Sequence, residues 1–249
     1  TYNETDNLGI IEETGRAFGD FQLKLADFPV KKLNITIPHF HNTIMRYEAF
    51  GEAVKNDVAH RAGGVEAEIG QYRALEETAT EMYKMQRRGE LPLKVTHNDT
   101  KCNNVLFDKI TGEYLCVIDL DTMMPGSICY DFGDSIRFGC NPCLEDTPET
   151  EKVIFNMPLF ETYSKGYLSV FGDTITDVER ENLPLGAIMM TYECGIRFLT
   201  DYLDGDVYFR HTREKQNIDR TRTQFKLVSD MEKRIDCLLY TSPSPRDRQ

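Results

Sequence analysis

Residues 95–108, VTHNDTKCNNVLFD, set a histidine, an aspartate and three asparagines between two apolar runs. Gly, Ser or Pro would serve a plain surface turn, so a carboxylate at Asp99 followed five residues later by an amide at Asn104 asks for a chemical reason. The run 104–108 and a second run, 115–119, can pair as an antiparallel hairpin around KITGEY. That pairing sets Val105 against Ile118, Leu106 against Val117, Phe107 against Cys116 and Asn104 against Asp119. Opposed residues share a face with Cβ atoms about 5 Å apart, close enough for both side chains to hold one cation. Magnesium takes hard oxygen ligands, only one or two of them from protein, and leaves the rest to phosphate and water. Asn104 and Asp119 meet that demand. Asp99, on the loop entering the hairpin, reaches the same neighbourhood, where it could hold a substrate hydroxyl in line with a phosphate and accept its proton.

The neighbours fall into supporting roles. Lys101, two residues after Asp99, could steady a transferring phosphoryl group or be an exposed loop lysine. Asp121, on the side of Asp119, is either a second metal ligand or a solvated loop acid. A literal Asp131-Phe132-Gly133 also occurs, but it lies well past the hairpin. Asp131 is therefore expected to accept backbone N–H bonds near a helix start and brace the loop. His97, which opens the loop, is assigned to the same support.

The elements that must position these groups are mostly helical. Apolar spacing predicts helices over 8–28, closed by Pro29, and from Asn42 or Thr43 to about 56. One long helix is expected over 65–88 and others over 128–138, 157–171, 178–203 and 213–235. Thr176 and Glu179 have the spacing of a capping box, and Pro184 should bend or split the helix it lies in. LPLKVTH, NVLFD and YLCVID read as short strands, KITGE as a turn and MMPGS as a loop. The fold class is thus α+β, mostly helical with a small β-hairpin. Residues 1–90 read as a helical linker and lobe start, 91–235 as the catalytic lobe, and 236–249 as a tail. That tail contains CLLYTSPSPRDRQ, which is similar to translated sequencing adapter and is set aside.

A net charge of −12 over 249 residues argues against nucleic acid and anionic membranes, which are gripped by clustered Lys and Arg. Seven scattered cysteines indicate reduced thiols in the cytoplasm. Cys140 and Cys143 have the spacing of a zinc half-site without a second pair. No apolar run is long enough to span a bilayer, and no signal pattern opens the chain.

The string His97-Asn98-Asp99-Thr100-Lys101-Cys102-Asn103-Asn104 matches the H-R-D-x-x-x-x-N loop of the kinase superfamily. Asn98 in place of Arg points away from control by activation-loop phosphorylation. With CVIDLDTMMPGS, YDFGDSIRFG and YECGIRFLTDYLDGDVYF in order, the chain resembles, from about residue 5 to 235, the bacterial N-acetylhexosamine 1-kinases of the aminoglycoside phosphotransferase and choline kinase branch. The resemblance implies a protein-kinase-like C-terminal lobe and transfer of the ATP γ-phosphate, with Mg2+, to the anomeric hydroxyl of N-acetylglucosamine or N-acetylgalactosamine. Asp99 would then be the base, Asn104 and Asp119 the metal ligands, and Arg197 and Tyr208 would contact the sugar. The alternatives are a salt bridge for Arg197 and a surface aromatic for Tyr208.

The Gly-rich loop and strand lysine of a kinase N-terminal lobe are not evident before residue 90. A gene fragment is therefore expected, one that binds Mg-ATP weakly and turns over little alone. Kinases for choline, homoserine or an aminoglycoside, a silent sugar-binding module and a zinc hydrolase are the competing readings. Oligomeric state is left open.

Overall fold

Helix α1, Leu8–Lys24, starts where the Asn7 side chain accepts the otherwise orphan N–H groups of Gly9 and Ile10. It ends one turn before the expected Phe28. Pro29 disfavours helical backbone at the residue before it, and the chain leaves through i→i+3 bonds, Ala26 N–H to Leu23 and Phe28 N–H to Leu25. The computed structural model describes residues 1–2, 5–171 and 174–234; the expected tail, 236–249, and residue 235, the expected end of the last helix, lie outside them.

Among the described residues the remaining helices are α2 Thr43–Asn56, α3 Glu66–Ala74, α4 Glu76–Arg88, α5 Ile128–Gly139, α6 Met157–Ser169, α7 Asp177–Leu203 and α8 Gln216–Glu232. Asn42 caps α2 through Met45 N–H, and Asn156 caps α6 through Leu159 N–H. Thr176 and Glu179 form the expected capping box on α7. Pro184 neither ends nor divides that helix. The helix expected over 65–88 is two, broken at Leu75. Tyr72 is pinned to α8, ring to Phe225 at 5.9 Å and hydroxyl to the Thr221 carbonyl, whereas α4 packs on α7. No Gly or Pro marks that break, because tertiary packing sets it. The last helix begins at Gln216 because Lys215 is left-handed, φ 63°.

Four short strands lie between α4 and α5: β1 Lys94–Thr96, β2 Val105–Phe107, β3 Tyr114–Val117 and β4 Met124–Gly126. Among the described residues no strand precedes Lys94. β4, expected as loop, pairs antiparallel with β1; Pro125 is tolerated because a two-stranded sheet has only edges. In the β2–β3 hairpin Val105 faces Val117 and Leu106 faces Cys116, and a bulge then sets Phe107 against Tyr114. The expected register is therefore corrected by one residue. The turn is tighter than expected: Asp108 Oδ1 accepts the N–H groups of Ile110 and Thr111, and Gly112 supplies a left-handed φ of 75°.

The core is one cluster in which α7, 27 residues and about 40 Å long, packs on α5, α8, α2 and α4. The α5–α7 crossing is unusually close. A Cβ on Gly133 would run into the Gly186 carbonyl, and one on Gly186 into the Cys129 carbonyl. Phe132 beside it is fully buried, its ring edge-on to those of Phe160, Tyr163 and Tyr167. The Asp-Phe-Gly triplet is thus the seat of α5 against the core. No helix among the described residues is long and apolar enough to cross a membrane.

Candidate active site

The loop between β1 and β2 is held residue by residue from α5. Asp131, 1% exposed, accepts the backbone N–H groups of His97 at 2.9 Å and Asn98 at 2.8 Å, and the Gln22 amide at 2.6 Å. One turn on, Asp134 accepts the Thr100 N–H at 3.1 Å, and the Ser135 hydroxyl donates to the Thr100 carbonyl at 2.5 Å. Thr100 returns its own hydroxyl to the Asp131 carbonyl. The loop backbone is buried, and buried N–H groups need partners, so the carboxylates of one helix face supply them. Burial raises the Asp131 carboxyl above its ordinary range, against the pull of the backbone N–H groups of His97 and Asn98 and the Gln22 amide.

Asn98 takes a left-handed backbone, φ 64°, a conformation Asn tolerates better than most residues. Its amide donates to the carbonyls of Thr122 and Thr96, and Thr122 donates back to the His97 carbonyl. His97 is fully buried, edge-on to the rings of Phe18 and Phe21. Its Nδ1 lies 3.3 Å from the Asp99 backbone N–H, which can only donate, and its Nε2 lies 2.9 Å from the Ile118 carbonyl, which can only accept. Both contacts are met by the neutral ring with its proton on Nε2.

His97 therefore ties the loop at Asp99 to the end of β3. Ile118 N–H donates in turn to the Asn104 carbonyl, and the Asn104 amide nitrogen donates to the Asp99 carbonyl at 2.8 Å and its carboxylate at 3.1 Å. Asp99, Asn104 and the residue before Asp119 thus form one bonded cluster. Asp119 does not sit opposite Asn104, as the expected register had it; Ile118 does. Asp119 follows with φ 63°, which ends the strand's alternation of faces. Its carboxylate is exposed and has no hydrogen-bond or ion-pair partner among the described residues, and the same holds for the Asp121 carboxylate. The Asp121 carbonyl accepts from Thr36.

Lys101 Nζ lies 2.7 Å from Asp99 Oδ1. Burial by itself would lower the Lys101 ammonium, but Asp134 and Asp99 outweigh it and its pKa is raised. Burial likewise opposes ionisation of Asp134, yet Arg137 and Lys101 hold its carboxyl below the ordinary carboxylate range.

These groups open on a cleft of about 570 Å³ between the loop, the segment before α2, α7 and the turn before α8. Arg197 lines it with Asp99, its guanidinium 5.3 Å from the Phe209 ring and making no hydrogen bond or ion pair to a described residue. Tyr208 is not among the lining residues; it is 73% exposed, with its ring 5.9 Å from Arg197. The turn that carries both aromatics is built by Asp201, whose carboxylate accepts the N–H groups of Val207, Tyr208 and Phe209. Lysine and arginine outnumber carboxylates along the cleft: Lys101, Arg137, Arg197, Arg210 and Arg220 against Asp99, Asp134, Glu145 and Glu193.

Sequence reasoning missed Asp134, Ser135, Thr122 and Gln22. Asp134 and Ser135 had a signal, three and four residues after Asp131 on the same helix face; Thr122 and Gln22 come from other elements. Among the described residues no three His, Cys, Asp or Glu side chains group as a metal site, and Cys140 is buried as a free thiol.

The braced loop and the two acids beyond β3 lie on a mostly helical α+β lobe. The family model described as "APH: Phosphotransferase enzyme family" matches residues 5–151, and the chain belongs to that family. In fold it is similar to the choline kinase from Cryptosporidium parvum Iowa II, with a TM-score of 0.54 and 16% identity over 94% of this chain and 68% of that one. The architecture is a protein-kinase-like C-terminal lobe.

Proposed function

We propose that this chain is the catalytic, acceptor-binding part of an ATP- and magnesium-dependent kinase that phosphorylates the anomeric hydroxyl of an N-acetylhexosamine. The observation that carries the choice of acceptor is the Arg197 guanidinium, which lines the cleft with Asp99, stacks near Phe209 and makes no hydrogen bond or ion pair to a described residue. A cationic acceptor such as choline or an aminoglycoside would meet a surplus of positive charge there, whereas a neutral sugar with hydroxyls and an amide carbonyl offers the oxygen acceptors that Arg197 lacks.

Asp99 would hold the acceptor hydroxyl and take its proton, with Lys101 Nζ 2.7 Å from its Oδ1. Lys101, at the same point, would steady the transferring group. The Asn104 amide nitrogen is committed to Asp99, which leaves its oxygen lone pairs for a metal, and the carboxylates of Asp119 and Asp121 engage no cation among the described residues. That donor set suits magnesium, which Asn104, Asp119 and Asp121 would hold and which neutralises phosphate charge when bound. His97 and Asp131 keep Asp99 in place. Tyr208 would contact the sugar only through the rim beside Arg197.

The described residues contain no strand before Lys94, so we expect the chain alone to bind nucleotide weakly and turn over little. The test is a binding and phosphorylation panel of N-acetylglucosamine, N-acetylgalactosamine, choline, homoserine and an aminoglycoside. N-acetylhexosamines should bind best; tighter binding of choline or the aminoglycoside would sink the sugar assignment.

A further inference from the structure

A histidine that lines the same cleft has the features of a second acceptor-binding group. His41 precedes α2, is nine-tenths buried, and lines the cleft with Asp99 and Arg197. Its Nδ1 lies 3.0 and 3.1 Å from the two carboxylate oxygens of Glu193, which is 1% exposed. The ring is wedged between Phe40, centroids 4.6 Å apart, and Tyr130, at 5.0 Å. Nε2, by contrast, is buried with no hydrogen-bond partner among the described residues.

Glu193 decides what that nitrogen can do. A carboxylate on Nδ1 holds the proton there, so the neutral ring presents a lone pair at Nε2, a hydrogen-bond acceptor. Glu193 accounts for Nδ1 but not for Nε2, and unpaired buried polar atoms are costly. Glu193 and Arg197 are four residues apart on α7 and so share a face. The cleft therefore offers an acceptor at Nε2 and donors at Arg197, a pairing that matches a hydroxyl and a carbonyl on one ligand.

We propose that His41 Nε2 accepts a hydrogen bond from a sugar hydroxyl other than the one phosphorylated, and that Glu193 is the positioning residue that fixes the tautomer. This rests on the sugar reading above and deepens it. The hydroxyl read by His41 would make the site selective among sugars.

Calorimetry on the full chain would compare N-acetylglucosamine with its 3-, 4- and 6-deoxy analogues for the unmodified protein, His41→Phe and Glu193→Gln. His41→Phe should weaken the parent sugar about ten-fold. One deoxy analogue should bind the unmodified protein about as weakly and lose nothing further in either variant. In Glu193→Gln the nitrogen-15 shifts of the His41 ring should report a changed tautomer population, which a purely structural role would leave alone. If His41→Phe fails to fold, the same ring shifts in the unmodified protein decide: they should move with the parent sugar and stay with that one analogue. Equal weakening of every analogue, or ring shifts indifferent to the sugar, would overturn the role of His41 and leave the sugar assignment standing. No binding of any sugar by the unmodified protein would overturn both.

Discussion

The two groups of acids around the loop are built in opposite ways. Asp131 and Asp134, on α5, are buried and spend their oxygens on backbone N–H groups of His97, Asn98 and Thr100 and on Arg137. Asp119 and Asp121, beyond β3, are exposed and have no protein partner among the described residues. A carboxylate that shapes a loop must be satisfied by protein, because its desolvation is otherwise uncompensated. A carboxylate that meets a ligand must keep its lone pairs for it. The same residue type thus serves architecture on one side of the loop and, in the proposed mechanism, would serve chemistry on the other, and Asp99 lies between them, half-buried and paired with Lys101.

That contrast can be broken by substitution. Asp99→Asn should cost the most, about 10³-fold in turnover as lost base catalysis; phosphorylation of N-acetylglucosamine by the full gene product would measure it, with sugar binding preserved. Unchanged turnover would remove Asp99 from the mechanism. Asp131→Ala should destabilise the chain by about 3–5 kcal/mol in urea unfolding, since it leaves two buried backbone N–H groups and the Gln22 amide unpaired. A loss below about 1 kcal/mol would mean the loop does not depend on α5.

Asp134→Asn should cost less, about 2 kcal/mol, the value of charge-assisted bonds to Thr100 and Arg137. It should also change the acid limb of stability. The folded carboxyl is held below its ordinary 3.8, so the unfolded chain binds the proton first. The contribution of Asp134 is therefore complete above that value and is lost as pH falls through the lower folded value. The variant should lose less stability over that range than the parent. Smallest of all, Asp119→Asn, which keeps a residue that tolerates the left-handed backbone there, and Asp121→Ala should leave the melt within about 0.5 kcal/mol, as surface substitutions do, while weakening magnesium-dependent nucleotide binding. A marked drop in melting would place these acids with the structural pair.

Much of the site was legible along the chain because its parts are close in sequence. His97, Asp99, Lys101 and Asn104 fall within one loop, and the neutral His97 ring joins that loop to Ile118 through two short bonds. The hairpin register was not legible: Asp108 closes a tighter turn and a bulge follows, so direct opposition of Asn104 and Asp119 gives way to Ile118. The break at Leu75 and the strand Met124–Gly126 were also hidden, since both answer to partners far away in the chain.

The sequence by itself determined the helical periods, the caps at Asn42 and Thr176, and the order of chemical groups from Asp99 to Asp121, because these depend on spacing of a few residues. Only the tertiary structure decided that α5 braces the loop through Asp131 and Asp134, that glycines at 133 and 186 let it come close enough to α7, and that His41 meets Glu193 across 152 residues. Burial and the pairing of distant polar groups are properties of the packed chain, and no local pattern specifies which partners will meet.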